Sequence, residues 1–275
     1  MTATEIAAHI NTLAAFCGPR DLPALTPQAI TSVTGNPQVD LLVLFGGSLL
    51  CGGDVLANAM RQNTAKHYMI VGGAGHTTES LRRAAQAACP GLVTGTLTEA
   101  DIFSHYVARN YGLTVDLLEK QSTNCGNNVT FCLNLLHQKG IVPQSIIFMQ
   151  DATMQRRMEA GFRKYLPHAT LLNFATYQVA VRADGDQLVY EAPPAGMWPM
   201  QHYLTLLLGE LPRLANNTQG YGPKGKGYIA PVNIPAAVQT AFTACRLQYP
   251  ELIRSANPVF AGNGPKIAPT IAPTV

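Results

Sequence analysis

Four clusters of glycine or polar residues follow apolar runs in this sequence, and each carries groups able to hold a small ligand. The first is Phe45-Gly46-Gly47-Ser48 and the second is Gly72-Gly73-Ala74-Gly75-His76. Glycine after a strand frees the backbone to turn sharply and lets another group approach the main chain. Exposed N–H groups in such a turn can hold an anion. An ordinary tight turn uses the same residues, but two such turns on two strands of one sheet can face one crevice. Neither cluster reads G-x-G-x-x-G and no G-K-[ST] is present, which excludes the usual dinucleotide fingerprint and the P-loop. His76 reads as a loop histidine rather than a base.

The third cluster is Glu119-Lys-Gln-Ser122-Thr-Asn124-Cys-Gly126-Asn127-Asn128. It opens a helix, whose dipole adds partial positive charge. Capping by Thr123, Asn124 or Asn127 uses one or two of these groups. The surplus, with Glu119, Ser122 and Asn128 in it, suits ribose hydroxyls, amino groups or phosphate. The fourth cluster is Gln150-Asp151-Ala-Thr153-Met-Gln-Arg156-Arg157. An Arg one turn into such a helix reaches a carboxylate or phosphate with two hydrogen bonds. Arg156 and Arg157 are adjacent and face different ways, so at most one of them points into a crevice.

These clusters need strands and helices to position them, and the hydrophobic pattern supplies both. Strands are predicted at 39–45, 67–71, 115–119, 145–149 and 170–174, with helices at 54–63, 78–88, 98–111, 127–138 and 153–165. Continuous apolar runs bounded by glycine suit strands buried on both faces. Their alternation with helices predicts an α/β, Rossmann-like, mainly parallel sheet with helices on both faces. Ligands of such sheets sit at the carboxyl ends of the strands, near the switch in strand order. A helix over 5–16 begins the N-terminal segment, residues 1–38. The Rossmann-like domain covers 39–176. A smaller C-terminal unit, 177–275, holds a hairpin around Asp184-Gly185, a helix over 200–214 interrupted by Pro212, a helix over 235–249 and a Pro- and Ala-rich tail from Asn257. The N-terminal helix is expected to pack with this mostly helical unit.

Composition narrows the function classes. The 275 residues are 47% hydrophobic and only 13% charged, against a usual charged share of about 25%. Net charge is +3 with Lys and Arg scattered, which gives no nucleic-acid footprint. No apolar run reaches the ~18 residues of a membrane span. The six Cys include no C-x-x-C pair and no His at zinc-ligand spacing, so no metal site is predicted. The first residues carry no signal-peptide pattern, and the expectation is a cytoplasmic protein with reduced thiols.

The order of motifs resembles the YdcF/SanA/ElyC-like family, and its YdcF branch most closely, over about residues 39–176. The shared features are an apolar strand into Gly-Gly, a second strand into Gly-Gly with a Glu further on, E-x-x-S-x-N-T-x-E-N, and a strand into H-x-x-R. Gly46, Gly47, Gly72, Gly73, Glu79, Glu119, Ser122, Asn124, Asn128 and Arg156 match. Cys125 stands where the family usually has Thr, Asn127 where it has Glu, and Thr153 where it has His. The resemblance implies a Rossmann-like crevice, and the departures remove the Glu and His suited to proton transfer. No catalytic residue is assigned. The expectation is a binding protein for a nucleoside-containing small molecule, S-adenosyl-L-methionine foremost, held by Gly46, Gly47, Ser48, Gly72, Gly73, Gly75, Glu119, Ser122, Asn124, Asn128 and Arg156. The alternative is a phosphoester or pyrophosphate hydrolase or transferase acting on an envelope precursor.

Overall fold

The computed structural model describes residues 1–47, 49–75 and 78–253. Ser48 and His76 of the glycine turns, and the tail from Asn257, lie outside the described residues.

Five strands form one parallel sheet: β1 (Val39–Phe45), β2 (Ala65–Val71), β3 (Leu117–Glu119), β4 (Ser145–Met149) and β5 (Thr170–Asn173), in the order β3-β2-β1-β4-β5. All four pairings are parallel. Side chains alternate across a strand, and the two faces bury different cores. Leu42, Leu44, Ile70, Ile147 and Leu172 pack with α3 (Cys51–Arg61), α4 (Thr78–Ala88) and α5 (Glu99–Tyr111). Leu41, Val43, Met69, Ile146, Phe148 and Leu171 pack with α6 (Cys125–Gln138) and α7 (Gln155–Tyr165). Helices therefore cover both faces. β1 and β2 end in Gly-Gly, and helices return the chain to the next strand.

Several element bounds differ from the pattern-based ones, each for a packing reason. Strand β3 is only three residues. Asp116, just before it, instead accepts a hydrogen bond from the Tyr68 backbone N–H, 2.8 Å, so its side chain does the work of a ladder carbonyl. Helix α3 starts at Cys51, before its expected start, and takes in Gly52 and Gly53. A Cβ on Gly53 would stand 2.8 Å from Tyr106 Cδ1 and one on Gly52 3.1 Å from Leu44 Cδ1. Close packing thus overrides the low helix propensity of glycine.

A third core joins the N-terminal helix α1 (Ala3–Cys17) to the C-terminal elements. Ile6, Ile10, Leu13 and Cys17 pack with Tyr203, Leu207 and Leu211 of α8 (Met200–Leu214) and with Val238 and Cys245 of α9 (Ala236–Gln248). The hairpin of β6 (Ala180–Asp184) and β7 (Gln187–Glu191) borders this core, and Gly185 in its turn has φ +61°. Pro212 does not end α8, which runs on to Leu214. α2 (Pro27–Thr34) is the short helix after Thr26, which caps it.

The far edge of the sheet, where the strands begin, is tied by one carboxylate. Asp40 of β1 accepts from the backbone N–H of Gln144 and Ser145 at 2.8 and 3.0 Å and pairs with Lys66 Nζ at 2.8 Å. Burial alone would raise its pKa, but the Lys66 ammonium and the two N–H groups outweigh that and lower it. A depressed carboxylate contributes stability that is present above its unfolded value, near about pH 4, and is lost as pH falls through the folded value. Asp40→Asn is therefore expected to lower stability at neutral pH and to flatten the loss of stability in acid. Urea midpoints compared between neutral and acid pH test this, and parallel pH profiles for the two proteins would refute it.

Candidate functional site at the carboxyl edge of the sheet

The strand order reverses at β1, whose neighbours are β2 and β4. Helix α3 leaves β1 on one face and α7 leaves β4 on the other, so a crevice opens where Gly46-Gly47 and Gln150-Asp151 emerge side by side. This is the place where doubly wound sheets bind ligands.

Most of the glycines expected here make room for the protein itself. A Cβ on Gly46 or Gly72 would stand 2.9 Å from Glu99 Cβ. A Cβ on Gly73 would overlap the Ser122 carbonyl and lie 2.8 Å from the Lys120 carbonyl. Glu99 is therefore a buried carboxylate lodged beneath the Gly46 and Gly72 turns. It accepts from Thr78 Oγ1 at 2.7 Å, while its backbone N–H donates to the Gly73 carbonyl at 2.9 Å. Gly75 donates to Thr78 Oγ1 at 2.7 Å and so belongs to the same network. Sequence reasoning missed Glu99, because an acid in the first turn of a helix is ordinary. The separate capping box of Thr98 and Asp101 was the available clue that Glu99 is not needed as a cap. Glu79, singled out by the resemblance, lies on the exposed side of α4 in an ion pair with Arg82.

The β3–α6 loop is braced from within. Glu119 accepts from the backbone N–H of Gln121 and Ser122 at 2.6 and 3.1 Å. The Gly73 N–H in turn donates to the Ser122 carbonyl and Oγ at 3.0 and 3.3 Å. Asn124 is the N-cap of α6, accepting from the Asn127 N–H at 3.0 Å. Asn128 lies in the first turn and donates its backbone N–H to the Asn124 carbonyl at 2.8 Å. Gly72, Gly73, Gly75, Glu119, Ser122 and Asn124 thus come together as one framework around the β2 and β3 ends.

Arg156 is not brought into this group. Its Nε donates to the Phe16 carbonyl at 3.0 Å, its guanidinium lies over the Phe16 ring, and Glu159 pairs with it at 3.0 Å. Arg157 turns instead toward α8, where Glu210 meets it with two hydrogen bonds of 2.6 and 2.9 Å. Both guanidiniums fasten α7 to the third core.

The open part of the crevice lies between β1 and β4. A cavity of about 10 Å³ is lined there by Leu44, Phe45, Gly47, Phe103, Gln150, Asp151 and Thr176, among others. Asp151 Oδ1 accepts from the Thr153 N–H and Oγ1 at 2.9 and 2.7 Å and from Tyr177 Oη at 2.8 Å. Its Oδ2 accepts from Trp198 Nε1 at 3.0 Å. Thr153 is thus engaged in fixing Asp151. Burial pushes the Cys51 thiol up to about 12 and raises that of Cys125 as well. Both stay protonated at neutral pH, which leaves hydrogen bonding by carboxylate, amide and hydroxyl groups as the chemistry of the edge. Among the described residues no group of His, Cys, Asp and Glu side chains could hold a metal ion, and no helix is long and apolar enough to cross a membrane. No protein-family model matches the chain.

Proposed function

We propose that the chain binds a nucleoside-containing small molecule, S-adenosyl-L-methionine foremost, at the carboxyl edge between β1 and β4. The observation that carries this reading is the switch in strand order at β1, beside which a small cavity lies between Gly47 and Gln150-Asp151. The residues present fit such a ligand at one end. Gln150 and Asp151 offer a donor and an acceptor beside apolar walls from Leu44, Phe45 and Phe103. The cavity has room for about one water-sized group, so the end of a ligand enters it and the rest lies outside. When bound, S-adenosylmethionine supplies an activated methyl group, whereas this chain's own residues hold and orient.

Arg156, expected in this site and in that of the alternative phosphoester enzyme, is engaged by Phe16 and Glu159 and separates neither reading. Binding is favoured because it needs only shape and hydrogen bonds, whereas Asn127 and Thr153 are poorly suited to move a proton.

The lone tryptophan of the chain provides the test. Trp198 donates to Asp151, which lines the cavity, so a ligand there changes its surroundings. Titration with S-adenosylmethionine is expected to alter Trp198 emission saturably. At about 100 times the dissociation constant it should add about 2.7 kcal/mol to stability. Unchanged emission and melting temperature, with phosphate release from phosphate esters by the same preparation, would overturn the proposal in favour of the phosphoester enzyme.

A further inference from the structure

Three buried side-chain atoms have no hydrogen-bond partner among the described residues: Arg82 Nε, Thr94 Oγ1 and Gln150 Nε2. Only Gln150 lines the cavity at the switch in strand order. Its side chain is fully buried, and which end is the nitrogen is fixed by its neighbour. The Asp151 backbone N–H donates to Gln150 Oε1 at 2.7 Å, leaving the NH₂ group as the unpaired end. The Gln150 main chain holds it in place, because its N–H donates to Gln155 Oε1 at 2.8 Å and its carbonyl accepts from the Thr176 N–H at 3.0 Å. A buried amide donor without an acceptor is costly, and a native protein tolerates one where something else supplies the missing partner.

The same cavity wall contains an acceptor. Among the described residues, Asp151 Oδ1 receives three hydrogen bonds and Oδ2 one, from Trp198. A carboxylate has about four lone-pair sites, two on each oxygen, so Oδ2 retains one. Asp151 has no ion-pair partner among the described residues.

The geometry points to a seat for a single sugar hydroxyl in this cavity, with Gln150 Nε2 as donor and Asp151 Oδ2 as acceptor. A hydroxyl accepts and donates through a single heavy atom. It matches a space of about 10 Å³, and the apolar walls of Leu44, Phe45 and Phe103 suit the C–H faces of a sugar ring. A phosphate or carboxylate is too large, and the Asp151 carboxylate repels it. An ammonium group has no lone pair for Gln150. The inference rests on the proposed function for the location of the site and adds the part of the ligand that enters first. The hydroxyl can belong to the ribose of a nucleoside or to another sugar.

Gly47 makes the seat testable without breaking the fold. A Cβ built there would meet only Gln150 Oε1 within 4 Å, at 3.5 Å, and its φ is not in the left-handed region. Gly47→Ala is therefore expected to fold with an unchanged melting temperature while adding a methyl group to the lining of this small cavity.

The experiment follows the Gln150 side-chain amide of the full chain by ¹⁵N–¹H NMR, the resonance being assigned by its loss in Gln150→Glu. The probes are adenosine, 2′-deoxyadenosine, 3′-deoxyadenosine, adenine and methyl riboside, with calorimetry on each. Adenosine is expected to shift the resonance, and the analogue lacking the seated hydroxyl is expected to leave it unmoved and bind about tenfold or more weakly. Gly47→Ala should erase that difference. If methyl riboside shifts the resonance and no adenine compound binds, the hydroxyl seat stands and the nucleoside reading falls. If adenosine binds while the resonance stays put, or both deoxy analogues bind as tightly as adenosine, the seat holds an ordered water only and is overturned, with the nucleoside reading intact. If nothing binds and nothing shifts, both fall.

Discussion

Replacing Glu210 by Ala is expected to lower the unfolding free energy by about 3–5 kcal/mol, the usual cost of removing one partner from a buried ion pair. The pair is well shielded: the Glu210 side chain is 5% exposed and that of Arg157 14%. Two hydrogen bonds of 2.6 and 2.9 Å join them, so the variant leaves a guanidinium in the interior facing an empty acceptor position. The loss reflects that stranded charge more than the worth of the pair. The double replacement Arg157→Met with Glu210→Leu should accordingly recover most of it, since apolar substitutes for a buried pair are often neutral or better. Urea unfolding of the two single variants and the double variant measures both. A Glu210→Ala protein within about 0.5 kcal/mol of the parent, the range of an ordinary surface change, would show that the pair is hydrated in solution.

The second large effect is expected at Gly73. Its Cβ position is already occupied by the carbonyls of Ser122 and Lys120, main-chain atoms that cannot rotate away. Gly73→Ala must push the 120–122 segment outward and break the hydrogen bonds between the Gly73 N–H and Ser122. Overpacking of this kind costs about 1–3 kcal/mol and occasionally more. Gly47→Ala provides the contrast, because it adds the same methyl group where only a side-chain oxygen is near. Equal stability losses in the two variants would contradict the crowding described at Gly73.

The sheet was legible in the sequence because its strands announce themselves twice, by apolar runs and by the glycines that close β1 and β2. Less legible was what those glycines are for. Turn glycines next to a ligand and turn glycines next to a buried side chain look identical in one dimension, and only the fold shows Glu99 filling the space beneath Gly46 and Gly72. The two arginines of α7 pose a similar problem. Helical spacing says that Arg156 and Arg157 diverge, yet their destinations, Phe16 and Glu210, depend on α1 and α8, elements far away in the chain. Gln150 and Asp151 were visible as a polar pair at a strand end. Their importance comes from an unpaired amide and a free lone pair, and those follow from the positions of Thr153, Tyr177 and Trp198.

The third core also has a consequence for how the chain is made. Helix α1 leaves the ribosome before any of the elements that bury Ile6, Ile10 and Leu13, and its partners in α8 and α9 follow only after the whole parallel sheet. Synthesis at about 5–20 residues per second leaves that apolar stripe uncovered for roughly 10 seconds or more. During this interval the nascent chain presents a capped amphipathic helix without α8 and α9 to cover most of its apolar stripe, which is the kind of surface that chaperones hold and neighbouring chains capture. Yield during expression should therefore depend on how quickly translation proceeds from the sheet to α9, and slow decoding within residues 177–248 should favour aggregation of chains whose sheet is already formed.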